Sequence, residues 1–215
     1  MGTAKKSRLN VEKRPVQARS KATVAAIVEA TTHILTLAGY DALTTNHVAE
    51  RAGVSIGSLY QYFPSKEALV AEVLDRHCDH VEALIARVFM QSIALGPAEL
   101  AREVVAAFYD AHAENPPLSR VLSEQLPRLG KLQRLAEITA GIVTMVAAYL
   151  EPRAAELRVA EPSRAAFYAV ELGEALVMAA ILKRPEDTRE QVVGEITDII
   201  VRYLFVKRPK AAVRA

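Results

Sequence analysis

Apolar residues recur at the spacing of an α-helix along nearly the whole chain, and no stretch alternates apolar and polar as a strand would. The pattern predicts an all-α protein whose helices break at glycine and proline. Val24, Ile27, Val28, Thr31, Ile34 and Leu35 share one face of a first helix from Ser20 to Ala38, and Gly39 is its stop. Thr45 is read as the cap of a short helix over 46–52, which Gly53 closes. Ser55 caps a second short helix from Ile56 to Tyr62, ended by Pro64 because the residue before proline disfavours helical backbone. Three residues lie between the two, Gly53 to Ser55, with Val54 as the apolar pin. That is the turn length of a helix-turn-helix.

Ser65 then opens a long helix whose apolar series Leu69, Val73, Val81, Leu84, Ile85 and Val88 runs toward Ala94. At about 40 Å it exceeds what a helix-turn-helix needs for its own core. Prolines and glycines divide the remainder into helices near 97–114, 117–129, 131–150, 163–182 and 188–206, so about nine helices are expected.

Composition narrows the class. With 51% hydrophobic residues over 215, the chain can fill a sizeable core. A single cysteine and the lack of a leader-like start point to a reducing, cytoplasmic setting. No membrane span is expected, since the uncharged apolar stretch from Ile138 to Leu150 is shorter than the roughly 20 residues a bilayer requires. The formal charge of +2 is unevenly spread: residues 1–21 hold seven basic side chains against Glu12, a net +6, and the rest nets −4. Such an arm suits phosphate, and is equally what a solubilising tail looks like.

The stretch from Gly39 to Leu69 reads Thr-Thr before the first short helix, Val-Ala-Glu-Arg-Ala-Gly-Val-Ser through the turn, and Leu-Tyr-x-Tyr-Phe-x-x-Lys-Glu-x-Leu into the long helix. Residues 19–75 on this evidence closely resemble the DNA-binding domain of the TetR family of repressors. On physical grounds Ile56, Gly57, Ser58, Gln61 and Tyr62 face outward, while Leu59, Phe63 and much of Tyr60 face inward. Gln61 suits adenine, and Ile56 a thymine methyl. The resemblance adds Asn46 at a base edge and phosphate contacts from Thr45, Tyr60, Tyr62 and Lys66. The expected DNA-contacting set is Arg19, Thr45, Asn46, Ser55, Ile56, Gly57, Ser58, Tyr60, Gln61, Tyr62 and Lys66. Between Ala22 and Lys66 the charges net −1, so the arm, with Arg14, Arg19 and Lys21, is expected to carry much of the affinity.

Past the long helix the chain offers apolar residues interleaved with a few polar ones: Phe89, Phe108, Tyr109, His112, Met145, Tyr149, Tyr168, Glu171 and Met178. They are candidate lining for a ligand pocket, though each is at home in a core. Glu171 and Glu174 stand out in an otherwise apolar helix, where an unpaired carboxylate is costly. The last two helices are apolar on more than one face. Phe167, Val170, Ile181, Val192, Ile196, Ile199, Ile200 and Tyr203 are therefore candidates for a twofold four-helix interface, the alternative being a helix central to its own subunit. His77 and His80 at i, i+3 with Cys78 lack a third metal ligand, so no metal or cofactor is expected.

The expected organisation is a basic flexible arm (1–18), a helix-turn-helix domain (19–66, motif 44–63), a ligand-binding and dimerisation domain (67–206) and a tail (207–215). The expected function is a homodimeric transcriptional regulator, a repressor of a palindromic operator in double-stranded DNA, released by a small-molecule effector. Two rivals remain: a DNA-binding regulator with no effector, and an all-α enzyme. The second lacks a nucleophile beside a base or a phosphate-cradling loop.

Overall fold

The computed structural model describes residues 18–205, which fold into nine α-helices with no strand among them. In chain order they are α1 (Ala18–Ala42), α2 (Thr45–Arg51), α3 (Ile56–Tyr60), α4 (Lys66–Ser92), α5 (Pro97–Ala113), α6 (Pro116–Gln125), α7 (Leu132–Leu150), α8 (Pro162–Lys183) and α9 (Arg189–Phe205), with a 3-10 helix over Glu151–Glu156. The expected arm up to residue 17 and the expected tail lie outside the described residues, as do the side chains of Ala18 and Arg19.

The apolar face read for α1 is the buried one, with Val24, Ile27, Val28, Thr31, Ile34 and Leu35 all sealed. Thr31 can sit there because its hydroxyl donates to the Ile27 carbonyl at 2.7 Å. Gly39 takes φ 75°, which breaks the α1 span into two helical pieces at the stop expected from the sequence. On α4, Leu69, Val73, Val81 and Ile85 are buried, whereas Leu84 and Val88 are only half-buried and Phe89 takes the inward place.

The described chain divides into two units, one running through His80 and including Asn115–Gln133, the other made of Val81–Glu114 and the residues from Arg134 on. The boundary therefore falls inside α4 rather than before it, and α6 belongs with the N-terminal helices. Asn115 shows the reason. Its side-chain carbonyl caps α6 by accepting from the Leu118 N–H at 3.1 Å, and its amide donates to Thr36 on α1 at 2.8 Å. Lys131 closes the same segment onto Asp75 of α4 at 2.7 Å. These are long-range tertiary bonds that no local pattern announces.

In the second unit α5, α8 and α9 pack together around Leu100, Val105, Ala165, Ala169, Val177, Val193 and Ile196. The Arg189 guanidinium makes a two-point ion pair with Asp110 at 2.6 and 2.7 Å, fixing the start of α9 on α5. Glu99 accepts from the Gly96 N–H at 3.2 Å, satisfying one free donor at the start of α5.

Two expectations need correction here. Val192, Ile196, Ile200 and Ile181 are buried within the subunit's own core rather than left for a partner. The band on α9 is wide because α5 and α8 cover it from two sides. Second, the spans Ser20–Ala42, Leu132–Glu156 and Pro162–Lys183 do have the length and mean hydropathy to cross a membrane. The uncharged-run criterion missed them because a span tolerates one or two charges. In this fold α1 packs its apolar positions on α2 and α6, and α8 on α5 and α9.

Phe63 is fully buried in the first unit. Phe63→Ala is expected to lower stability by about 3–5 kcal/mol, read by urea unfolding followed by helical circular dichroism.

Candidate functional site

Two adjacent threonines open α2, and the chain uses them differently from the expectation. Thr44 is the N-cap, in extended backbone, with its hydroxyl accepting from the His47 N–H at 3.2 Å. Thr45 is the first helical residue, and its hydroxyl is 3.0 Å from the Tyr60 hydroxyl. Gly53 bends the chain after α2 with φ 66°, a conformation that favours glycine. Ser55 then caps α3 as expected, accepting from the Ser58 N–H at 3.1 Å, and its hydroxyl also pairs with that of Ser58 at 2.8 Å.

Leu59 and Phe63 face inward and are fully buried. That leaves Ile56, Gly57, Tyr60 and Gln61 exposed on the opposite side of α3, with Asn46 exposed on α2 and Ser58, Thr45 and Lys66 half-buried around them. A Cβ placed on Gly57 would meet nothing within 4 Å, so open space lies over this part of α3. Lys66 holds its ammonium 4.1 Å above the Tyr40 ring.

The two tyrosines exchange the places expected of them. Tyr60 is 44% exposed, whereas Tyr62 is 9% exposed, with its hydroxyl 2.8 Å from that of Ser20 on α1. The helix expected to run to Tyr62 stops short of it. Regular α-helix ends at Tyr60, and the Tyr62 N–H bonds back to the Leu59 carbonyl, three residues earlier. In so tight a turn residues i and i+3 eclipse, so Tyr62 follows Leu59 into the core.

The second unit contains a cavity of about 100 Å³ lined by residues of α4, α5, α7, α8 and α9. Phe89, Phe108 and Tyr149 line it, as expected. Tyr109, His112, Met145 and Met178 do not: His112 is buried with its ring 4.5 Å from that of Phe108, and Tyr109 and Met145 pack against the surrounding core. Tyr168 and Glu171 are exposed, which corrects their assignment to the pocket. Val170, expected at the dimer face, lines the cavity instead.

The carboxylate that reaches the cavity is Glu174, one helical turn beyond Glu171. Burial, then the nearby Glu171 charge, push its carboxyl up to about 7, against a smaller opposing effect of the Thr139 hydroxyl. Thr139 donates from α7 at 3.3 and 3.4 Å to the two oxygens. Both glutamates stand out in the apolar sequence of α8. Only the rotation of α8 against its neighbours decides which one turns inward.

A family model for the tetracyclin repressor-like C-terminal domain matches residues 97–204, and one for bacterial regulatory proteins of the tetR family matches residues 27–73. The chain belongs to the TetR family. That family is one of DNA-binding transcriptional regulators rather than of enzymes. Across 57 residues it is 44% identical to the HTH-type transcriptional repressor KstR of Mycolicibacterium smegmatis, which covers 26% of this chain and 28% of that repressor. The chain thus matches little more than a quarter of the length of that curated relative. Two solved TetR-like folds superpose over most of its length. A TetR-family regulator from Mesorhizobium loti gives a TM-score of 0.68 at 20% identity, covering 88% of this chain and all of that one. The fatty acid degradation regulator FadR from Bacillus halodurans gives 0.64 at 16%, covering 88% and 96%. Identities this low speak for the fold alone.

The Glu174 carboxyl generates a pH prediction. Its midpoint in the folded chain lies above the ordinary 4.5, so the folded state holds this proton more tightly than the unfolded chain. The resulting stability is present below the ordinary value and is lost as pH rises through about 7. The melting temperature of Glu174→Gln relative to the parent is expected to climb across that window and level off above it. A pH series of thermal melts reads this directly.

Proposed function

We propose that the chain is a cytoplasmic homodimeric repressor that reads a palindromic operator with the exposed side of α3 and lets go when a small molecule enters the cavity of its second unit. The observation that carries the DNA reading is the division of α3, with Leu59 sealed inside and Ile56, Gly57, Tyr60 and Gln61 outside. In this reading Gln61 and Asn46 supply paired donor and acceptor groups to base edges, and Ile56 supplies apolar surface. Gly57 and Ser58 keep the backbone close to the groove. Thr45, Ser55, Tyr60 and Lys66 hold phosphates, joined by Arg19 and the basic arm. Tyr62 acts from within, positioning the end of α3 through Ser20.

A twofold dimer would place two copies of α3 about 34–36 Å apart, one helical turn of DNA. With Val192, Ile196, Ile200 and Ile181 used inside the subunit, the pairing surface narrows to Phe167, Tyr168, Ile199 and Tyr203 on α8 and α9. Phe167 is 45% exposed and Ile199 42%, and the Tyr168 ring lies 5.2 Å from that of Phe167 and 6.3 Å from that of Tyr203. An exposed aromatic cluster of this kind is what a protein interface buries. The ligand acts by binding the released form better than the DNA-competent one, for otherwise it shifts nothing.

Selection of bound sequences from a random DNA pool is the primary test, and a palindrome is the expected product. Gln61→Ala and Asn46→Ala are expected to relax base preference at single positions, each by about 1–3 kcal/mol, whereas Lys66→Ala weakens all sequences alike and flattens the salt dependence. Equal base preference in all three variants would overturn the groove assignment. For the dimer, Phe167→Glu combined with Ile199→Glu is expected to give a folded monomer by analytical ultracentrifugation.

A further inference from the structure

The cavity of the second unit has an unusual charge balance. Among the described residues every one lining it except Glu174 is uncharged, so an anionic head group entering it finds a carboxylate and, among those residues, no lysine, arginine or histidine. The hydroxyl of Tyr149 is already committed, donating to the Leu95 carbonyl at 3.1 Å. Arg153 lies outside the lining, with its guanidinium 4.0 Å over the Tyr149 ring.

Glu174 is left poorly served. The Thr139 hydroxyl, at 3.3 and 3.4 Å, is at the long limit of a hydrogen bond, and among the described residues no cation pairs with the carboxylate. Glu171, one turn away, adds a second negative charge rather than relieving the first. A half-buried carboxylate without a cation is costly until a cation or a proton reaches it. The rest of the lining is matched to hydrocarbon, and three aromatic rings, Phe89, Phe108 and Tyr149, add faces that attract positive charge. The volume, about 100 Å³, sets the scale of the guest. It is below the roughly 150 Å³ of a dry cavity that accepts benzene, so the occupant is compact or slender.

We infer that the cavity takes a slender apolar cation, an alkyl or aryl amine whose protonated nitrogen pairs with Glu174 while its hydrocarbon lies along Phe89, Phe108 and Val177. This rests on the reading of the cavity as the effector site, and it names the ligand's chemical class. Charge complementarity sets the order of preference among isosteres. The amine binds best, a neutral alcohol of the same length binds through hydrocarbon contact alone, and the carboxylate is repelled.

The test uses the full chain with n-hexylamine, n-hexanol and n-hexanoate, titrated by calorimetry at a pH well above the Glu174 midpoint. Hexylamine is expected to bind at least about tenfold more tightly than hexanol, with hexanoate weakest. In Glu174→Gln the advantage of the amine is expected to fall within about twofold of hexanol, while hexanol affinity itself is unchanged, which certifies an intact cavity. Hexylamine no better than hexanol, or an amine advantage that survives in Glu174→Gln, would overturn the inference and leave the effector reading standing. Failure of all three compounds to bind would remove the effector reading and this inference together.

Discussion

Leu59 and Phe63 sit one helical turn apart and are both fully enclosed, and this pair of anchors determines what the rest of the N-terminal unit presents to its surroundings. Anchoring one side of so short a helix leaves no freedom to rotate the other. The exposure of Ile56, Gly57, Tyr60 and Gln61 follows from it, as does the capture of Tyr62 by the tight turn after α3. The supports around α3 serve the same end: Ser55 satisfies one of its free N–H groups, that of Ser58, Gly53 supplies the bend before it, and Thr45 meets Tyr60 across from α2. A helix face held by a sealed leucine and phenylalanine is fixed before anything meets it.

The second unit is governed by a different balance. Its helices share one apolar core, and the cavity among them is lined by uncharged residues except for one carboxyl group. Burial makes that group hold its proton to about 7, so near neutrality its charge is sensitive to whatever enters. A structural core gains nothing from such a residue, since leucine or methionine would pack without the electrostatic penalty.

The packing of α9 illustrates how covering helices redistribute apparent function. Seen as a wheel, its apolar band is wide enough for two partners, one inside the subunit and one outside. Both partners turn out to be within the subunit, α5 and α8, and what is left outside is the cluster of Phe167, Tyr168, Ile199 and Tyr203. This face is smaller and more aromatic than the broad aliphatic one expected from sequence, and rigid rings lose little side-chain freedom when they pack.

Helical period, glycine and proline punctuation and serine caps were enough to place all nine helices to within a few residues, because those signals act within one or two turns of chain. The motif from Thr44 to Phe63 was equally legible, and with it the inward role of Leu59 and Phe63. Choices between equivalent neighbours were not. Whether Thr44 or Thr45 caps α2, whether Tyr60 or Tyr62 stays outside, and whether Glu171 or Glu174 turns to the cavity each depend on the rotation of a helix against partners distant in sequence. The same holds for α6, which joins the N-terminal unit through Asn115 and Lys131, bonds spanning 79 and 56 residues. Local periodicity sets which residues can share a face, and only long-range packing decides which way that face is turned.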